Sequence, residues 1–204
     1  MTEGVPGMSG QRLESLDISE IPDHEGLFDL CNDLYGLIPN SFLIMGRDPE
    51  LLDVAGQQLH STVMQKPGKT SIALRWMIGH ISSRAAGSRY GSAHSGYFSD
   101  HLAGVTEKKL DAIWEFETSP LFDDAERAAL RVAVGGGQAP TAVTDVDMAE
   151  LREHYDDDAI VEIIAVIGLF GFFNRWNDIF QTEMEGPTRD FADRKLDRLG
   201  PPEG

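Results

Sequence analysis

The chain has 204 residues, 34 acidic and 17 basic side chains, a formal net charge of −17, and 41% hydrophobic residues. That length fits one medium domain with a substantial core. The acidic balance argues against nucleic-acid partners and against adsorption to an anionic membrane surface.

Residues 1–22 are polar, with Gly and Pro, and are expected to form an extended N-terminal arm, either loose or wrapped on a neighbour. The opening Met-Thr-Glu-Gly-Val-Pro-Gly-Met has neither a basic region nor an apolar run, so it does not read as a signal peptide. Residues 23–185 read as a single helical domain. Leu27, Leu30, Leu34 and Leu37 form a helical stripe, with Phe28 and Cys31 beside it. Cys31 is the only cysteine, so no intrachain disulfide is possible. Its apolar setting reads as a small buried hydrophobe, with a reactive thiol as the alternative. Asp48-Pro49-Glu50 opens a helix that should reach about Met64. His60, near its end, is by default a surface or core histidine, with a pocket-facing role as the alternative.

Lys66-Pro67-Gly68-Lys69 is a turn. A central helix follows, from about Thr70 to Ala86, with Leu74, Met77, Ile78 and Ile81 on one face. His80 and Arg84 share another face, suited to an acidic substrate or to pairing with a carboxylate of the chain. Gly87 breaks the pattern. The next helix should run from about Ser88 to Leu102. Tyr90, His94, Tyr97 and His101 make a stripe on it, whose first half suits a cleft wall. Further helices are expected over 107–116, from Ser119-Pro120 to Gly135-Gly136-Gly137, and from a cap at Thr144 or Asp145 to about Tyr155.

Asp156-Asp157-Asp158 has the composition of a metal motif, but three consecutive carboxylates at a helix start point in different directions and serve better as a cap. The last long helix should span about 158–185. Its apolar run, Ile160 to Phe173, is interrupted by Glu162 and falls short of the ~20 residues that span a bilayer. It reads as a buried core helix of a cytoplasmic protein with no membrane partner. Residues 186–204, charged and Pro-containing, read as a mobile tail. No strand alternation, phosphate-binding loop, metal motif or nucleophile elbow is present. The fold class is therefore all-α, a helical bundle, and no metal or cofactor is called for.

The stretch Gly87-Ser88-Arg89-Tyr90-Gly91-Ser92-Ala93-His94 resembles the alkylhydroperoxidase-D / carboxymuconolactone decarboxylase superfamily. Members typically carry a Glu, eleven residues, then Cys-x-Tyr-Cys and a nearby His. Ser88 stands at the first Cys position, Gly91 at the second, and Trp76 at the Glu position. Tyr90 and His94 are retained. The likeness continues through Leu102–Leu110, Ser119–Arg127 and Ile160–Asp178, covering roughly residues 25 to 185. It implies a helical bundle that packs across subunits, commonly as a trimer or hexamer, with pockets near the interface.

Family peroxidases exchange thiols and disulfides, and both sulfurs are missing here. The His and Tyr that remain are equipment for acid–base chemistry. The reading is an enzyme without redox or cofactor that isomerises or decarboxylates a small unsaturated organic acid, such as an aromatic-ring-cleavage product. It would work through an enolate-like state, with His94 shuttling the proton and Tyr90 donating to an oxyanion. Ser88 would hydrogen-bond the substrate and Trp76 would form an apolar wall. His80, Arg84, Arg89 or Arg175 would hold the carboxylate. The alternative is an inert binding or scaffold relative. A peroxidase using an external thiol, or Cys31 alone, is a weaker third reading.

Overall fold

The computed structural model describes residues 10–196, without the side chains of 57–59. The described residues are helical, with no strand among them. The helices are α1 (Glu25–Tyr35), α2 (Asn40–Met45), α3 (Pro49–Leu51, widening into π turns over Leu52–Leu59 and Ser61–Gln65), α4 (Ile72–Ala85), α5 (Arg89–His101), α6 (Glu107–Asp111), α7 (Asp124–Gly137), α8 (Asp145–His154), α9 (Asp157–Phe180) and α10 (Gly186–Lys195).

The caps follow the local sequence. Asp48, Ser71, Ser88, Thr106, Asp123, Thr144 and Asp156 each accept a backbone N–H at a helix start, satisfying donors that the first turn leaves orphaned. Asp156 is thus a cap. Ser119-Pro120 does not open α7; the Asp123/Glu126 capping box does. The helix expected over 107–116 breaks after Asp111 into a short 3-10 turn, Ile113–Glu115.

α4 is the centre of the bundle and packs against α5, α7 and α9. Met77, Ile78 and Ile81 are almost fully buried. Gly87 turns the chain from α4 into α5 with φ 75°, a conformation that disfavours any residue with a Cβ. α9 is the one helix among the described residues long and apolar enough to cross a membrane. Its Ile163, Val166, Leu169 and Phe170 are buried in the bundle, whereas Val161, Ile164, Phe172 and Ile179 are exposed.

The charged residue that interrupts the α9 apolar run has a structural task. Glu162 accepts from the backbone N–H groups of Lys69 (2.9 Å) and Thr70 (2.9 Å), from the Thr70 hydroxyl (2.8 Å) and from Arg75 Nη2 (3.1 Å). Arg75 is only 2% exposed and also donates to the carbonyls of Val63 and Lys66. The α3–α4 turn is thereby tied to α9.

The two ends of the chain differ from expectation. α9 stops at Phe180, where Gln181 takes a left-handed φ of 51°. Within the expected tail, residues 186–195 form α10, docked on α5 through Thr188, Phe191 and Ala192, all buried. Residues 10–22 of the expected arm lie on the bundle: Arg12 N–H reaches the Phe180 carbonyl (2.7 Å), and Ile21 is buried. Residues 1–9 and 197–204 of the arm and tail lie outside the described residues.

Burial alone would raise the Glu162 pKa, but the Lys69 and Thr70 donors and the Arg75 charge outweigh it and hold the group at about 2. A depressed carboxylate contributes stability above its unfolded pKa and loses it as pH falls through the folded value. Urea unfolding should show wild type losing stability between about pH 4.5 and 2. Glu162→Gln should be less stable at pH 7 by ~1–3 kcal/mol, with a flatter acid limb. An unchanged acid limb would remove Glu162 from this role.

Candidate active site

Residues of α4, α5 and α9, with the α2 start and His60 of α3, enclose an apolar cavity of about 60 Å³. Trp76, Tyr90, His94, Phe98, Phe170 and Phe173 make most of its wall. The aromatic rings interlock: Trp76 lies 5.2 Å from Phe98 and 6.2 Å from Phe170 between ring centroids. Tyr90 and His94 stack at 3.9 Å, as four-residue spacing on a helix permits.

His94 is oriented from both sides. Nδ1 lies 2.9 Å from the Tyr90 carbonyl, and Nε2 lies 2.6 Å from Glu185 Oε2. A carbonyl only accepts, so Nδ1 donates to it. Nε2 thereby faces the Glu185 carboxylate. Glu185 is the N-cap residue of α10, and its side chain is about 10% exposed. Its Oε1 accepts from the Tyr90 hydroxyl (2.9 Å) and from the Asn40 N–H. Thr188 Oγ1 lies 3.1 Å from Oε2. Burial would raise the Glu185 pKa, but the adjacent His94 and the donors around it bring the group down to about 2. Burial, with the Glu185 charge adding to it, pushes the Tyr90 phenol well up, so it stays protonated.

Of the residues singled out in the sequence, Tyr90, His94 and Trp76 meet at this cavity. The others lie elsewhere. His80 is buried between α4, α5 and α10, with Nδ1 2.9 Å from the Ser92 carbonyl and its ring against Phe191. Burial lowers its pKa to about 3, so it is a neutral core residue. Ser88 caps α5 and donates to Asp178 Oδ1 (2.8 Å). Arg84 lies 5.2 Å over the Trp114 ring, and burial lowers its pKa to about 10. Arg89 pairs with Asp193 at 3.0 Å. Arg175 donates to the Gly171 carbonyl and lines a separate, more polar cleft. None of the four cations or hydrogen-bonders expected to grip a carboxylate reaches the aromatic cavity, because each is held by a partner on another face.

Glu185 was missed because it falls at the edge of a segment read as a loose tail. Only the helix that it begins leaves a local signal. Glu-Gly-Pro at 185–187 places Pro in the first turn of a helix, and Thr188, Phe191 and Ala192 follow at i, i+3 and i+4. The two positions where the resemblance expects cysteines, Ser88 and Gly91, are both packed against α9. A Cβ on Gly91 would come within 1.9 Å of Asn174 Oδ1, which the Ser83 hydroxyl already holds (3.0 Å). Cys31 is buried in α1, and burial pushes its thiol up to about 12.

The architecture matches known structures. The debrominase Bmp8 is 32% identical and superposes with a TM-score of 0.82 over 89% of this chain and 95% of that one; the matched structure is a Cys-to-Ala variant in complex with 2,3,4-tribromopyrrole. The chain belongs to the alkylhydroperoxidase-D-like / carboxymuconolactone decarboxylase superfamily. A peroxidase-related protein of Ralstonia eutropha JMP134 with an AhpD core shares the fold at a TM-score of 0.77 and 22% identity, over 89% of this chain and 95% of that one. The Escherichia coli K12 protein YnjA is 36% identical over 81 residues, a match that spans 40% of this chain and 44% of that protein. No protein-family model matches the chain.

Three substitutions probe this site. Glu185→Ala leaves the Asn40 N–H, Tyr90 hydroxyl and His94 facing an empty carboxylate position, and should cost ~3–5 kcal/mol in urea unfolding; a cost under ~1 kcal/mol would contradict the network. Gly91→Ala should cost ~1–3 kcal/mol by overpacking, and Asn174→Ala should relieve it in the double variant, whereas additive costs would count against the contact.

Proposed function

We propose that the protein is a cofactor-independent acid–base enzyme acting on a small unsaturated ring compound held in the aromatic cavity, with Glu185, His94 and Tyr90 as its proton-handling group. One observation carries this reading: a buried carboxylate bridges an imidazole and a phenol on the wall of an otherwise apolar pocket. Such a group relays a proton without an outside reagent. Tyr90 or His94 gives a proton to one end of a conjugated system, Glu185 shares the proton that remains, and the emptied group takes a proton from another carbon. The double bond moves and no electrons are gained or lost. Decarboxylation balances as well: the carbon–carbon bond breaks with loss of carbon dioxide, its pair stays on the substrate as an enolate that His94 protonates, and His94 regains that proton from water.

The absence of Arg84, Arg89 and Arg175 from the cavity favours a neutral ring, such as a lactone or enone, over a free acid, and so favours isomerisation. The ligand of Bmp8 is a flat unsaturated ring, and a ring of that class suits these walls. Reductive loss of a halogen needs a two-electron reductant. The only cysteine of this chain is buried in α1, so a resident dithiol does not supply it.

A second reading, an inert relative, draws on a different fact. Both nitrogens of His94 and the Tyr90 hydroxyl are already engaged within the protein, as a purely structural strut would be. An ultraviolet assay on ring-cleavage lactones, cyclic enones and dienoic acids separates the two. The acid–base reading expects wild-type turnover that falls ~100-fold or more in His94→Ala, is insensitive to thiol-blocking reagents, and gives a product of unchanged mass. Equal rates in wild type and variant, or no spectral change across the panel, would favour the strut.

A further inference from the structure

His60 stands on the cavity wall outside the Glu185–His94–Tyr90 group. Trp76 packs against it: its ring centroid is 6.2 Å from His60 and 5.2 Å from Phe98, and Phe98 is 5.9 Å from His94. The cavity thus has two histidines on its wall, linked to each other through Trp76 and Phe98. Tyr35 supports His60 from behind. Its hydroxyl lies 3.3 Å from His60 Nδ1 and 3.5 Å from Nε2, and it accepts a hydrogen from Gln65 Nε2 at 2.6 Å. With Gln65 donating to it, the hydroxyl gives its own hydrogen to a His60 nitrogen.

Burial pushes the His60 pKa down to about 4, so the ring is neutral at pH 7. A neutral imidazole that accepts at one nitrogen carries its hydrogen on the other. His60 therefore carries one N–H, and its ring lines both the aromatic cavity and a smaller cavity behind it with Tyr35 and Gln65.

We infer that His60 binds the carbonyl oxygen of the substrate and stabilises the negative charge that develops there, so that the preferred ligand is a small cyclic ketone, enone or lactone with its carbonyl at His60 and its reacting carbon towards His94. This rests on the proton chemistry proposed above and gives it the electrophile it lacks: an enolate forms readily only where a donor meets the oxygen. A neutral donor serves well, since it polarises the carbonyl without surrendering its proton.

The test needs no knowledge of the natural substrate. Cyclopentanone and methylenecyclopentane have nearly the same shape and differ in the acceptor oxygen. Their dissociation constants are measured for wild type, His60→Leu and His94→Ala. The affinity ratio of ketone to alkene should fall about tenfold in His60→Leu, the equivalent of one hydrogen bond, and should persist in His94→Ala. Nitrogen-15 spectra of the wild-type histidines provide a readout that requires no variant to fold. The His60 N–H resonance should move on adding cyclopentanone and stay in place on adding methylenecyclopentane. A ratio unchanged in His60→Leu, a His60 resonance that responds alike to both, or binding of neither probe would overturn the assignment. Because these are binding measurements, an absence of turnover in the ultraviolet assay with the ketone preference intact would sink the proton chemistry and leave the His60 site standing.

Discussion

Glu185 connects the fold to the candidate chemistry. A carboxylate about 10% exposed is costly to bury unless several donors meet it. Here Asn40 from α2, and Tyr90 and His94 from α5, converge on it, and it begins α10. The same contacts place α10 across α5, so that Phe191 fills the space beside Gly96 and against His80. Removing the carboxylate would take away both the orientation of His94 and the anchor of the C-terminal helix.

This arrangement accounts for the altered motif. The family resemblance drawn from the sequence expects a Glu at the position of Trp76, on α4. In this chain that position carries an indole buried among Tyr35, Phe98 and Phe170, and a carboxylate reaches His94 from α10 instead. At the positions where the resemblance expects cysteines, Ser88 caps α5 and bonds Asp178, and Gly91 leaves room for Asn174. These contacts pack both positions against α9 beside the aromatic cavity.

Much of the bundle was legible in the sequence because its signals are local. The caps at Asp48, Thr144 and Asp156, the Gly87 corner and the apolar face of α4 each depend on residues a few positions apart, and all appear where the spacing puts them. The cavity residues Trp76, Tyr90 and His94 were also within reach, since they lie on two adjacent helices joined by that corner. The Glu185 contact was not. It joins residues 91 positions apart, and no periodicity records such a contact. The arginines failed for the same reason in reverse: a guanidinium suits a carboxylate in any sequence, but the distant partners Trp114 and Asp193 decide where Arg84 and Arg89 point.

The most direct test of the central claim follows hydrogen itself. Cyclopent-2-enone and a five-membered unsaturated lactone are incubated with the protein in heavy water, and deuterium entering the ring carbons is followed by proton NMR. The account predicts wash-in at the acidic carbon with wild type, slowed ~100-fold or more in Glu185→Gln, since that amide can bond Tyr90 yet cannot take up a proton. Wash-in by Glu185→Gln at the wild-type rate, or none by wild type, would contradict it.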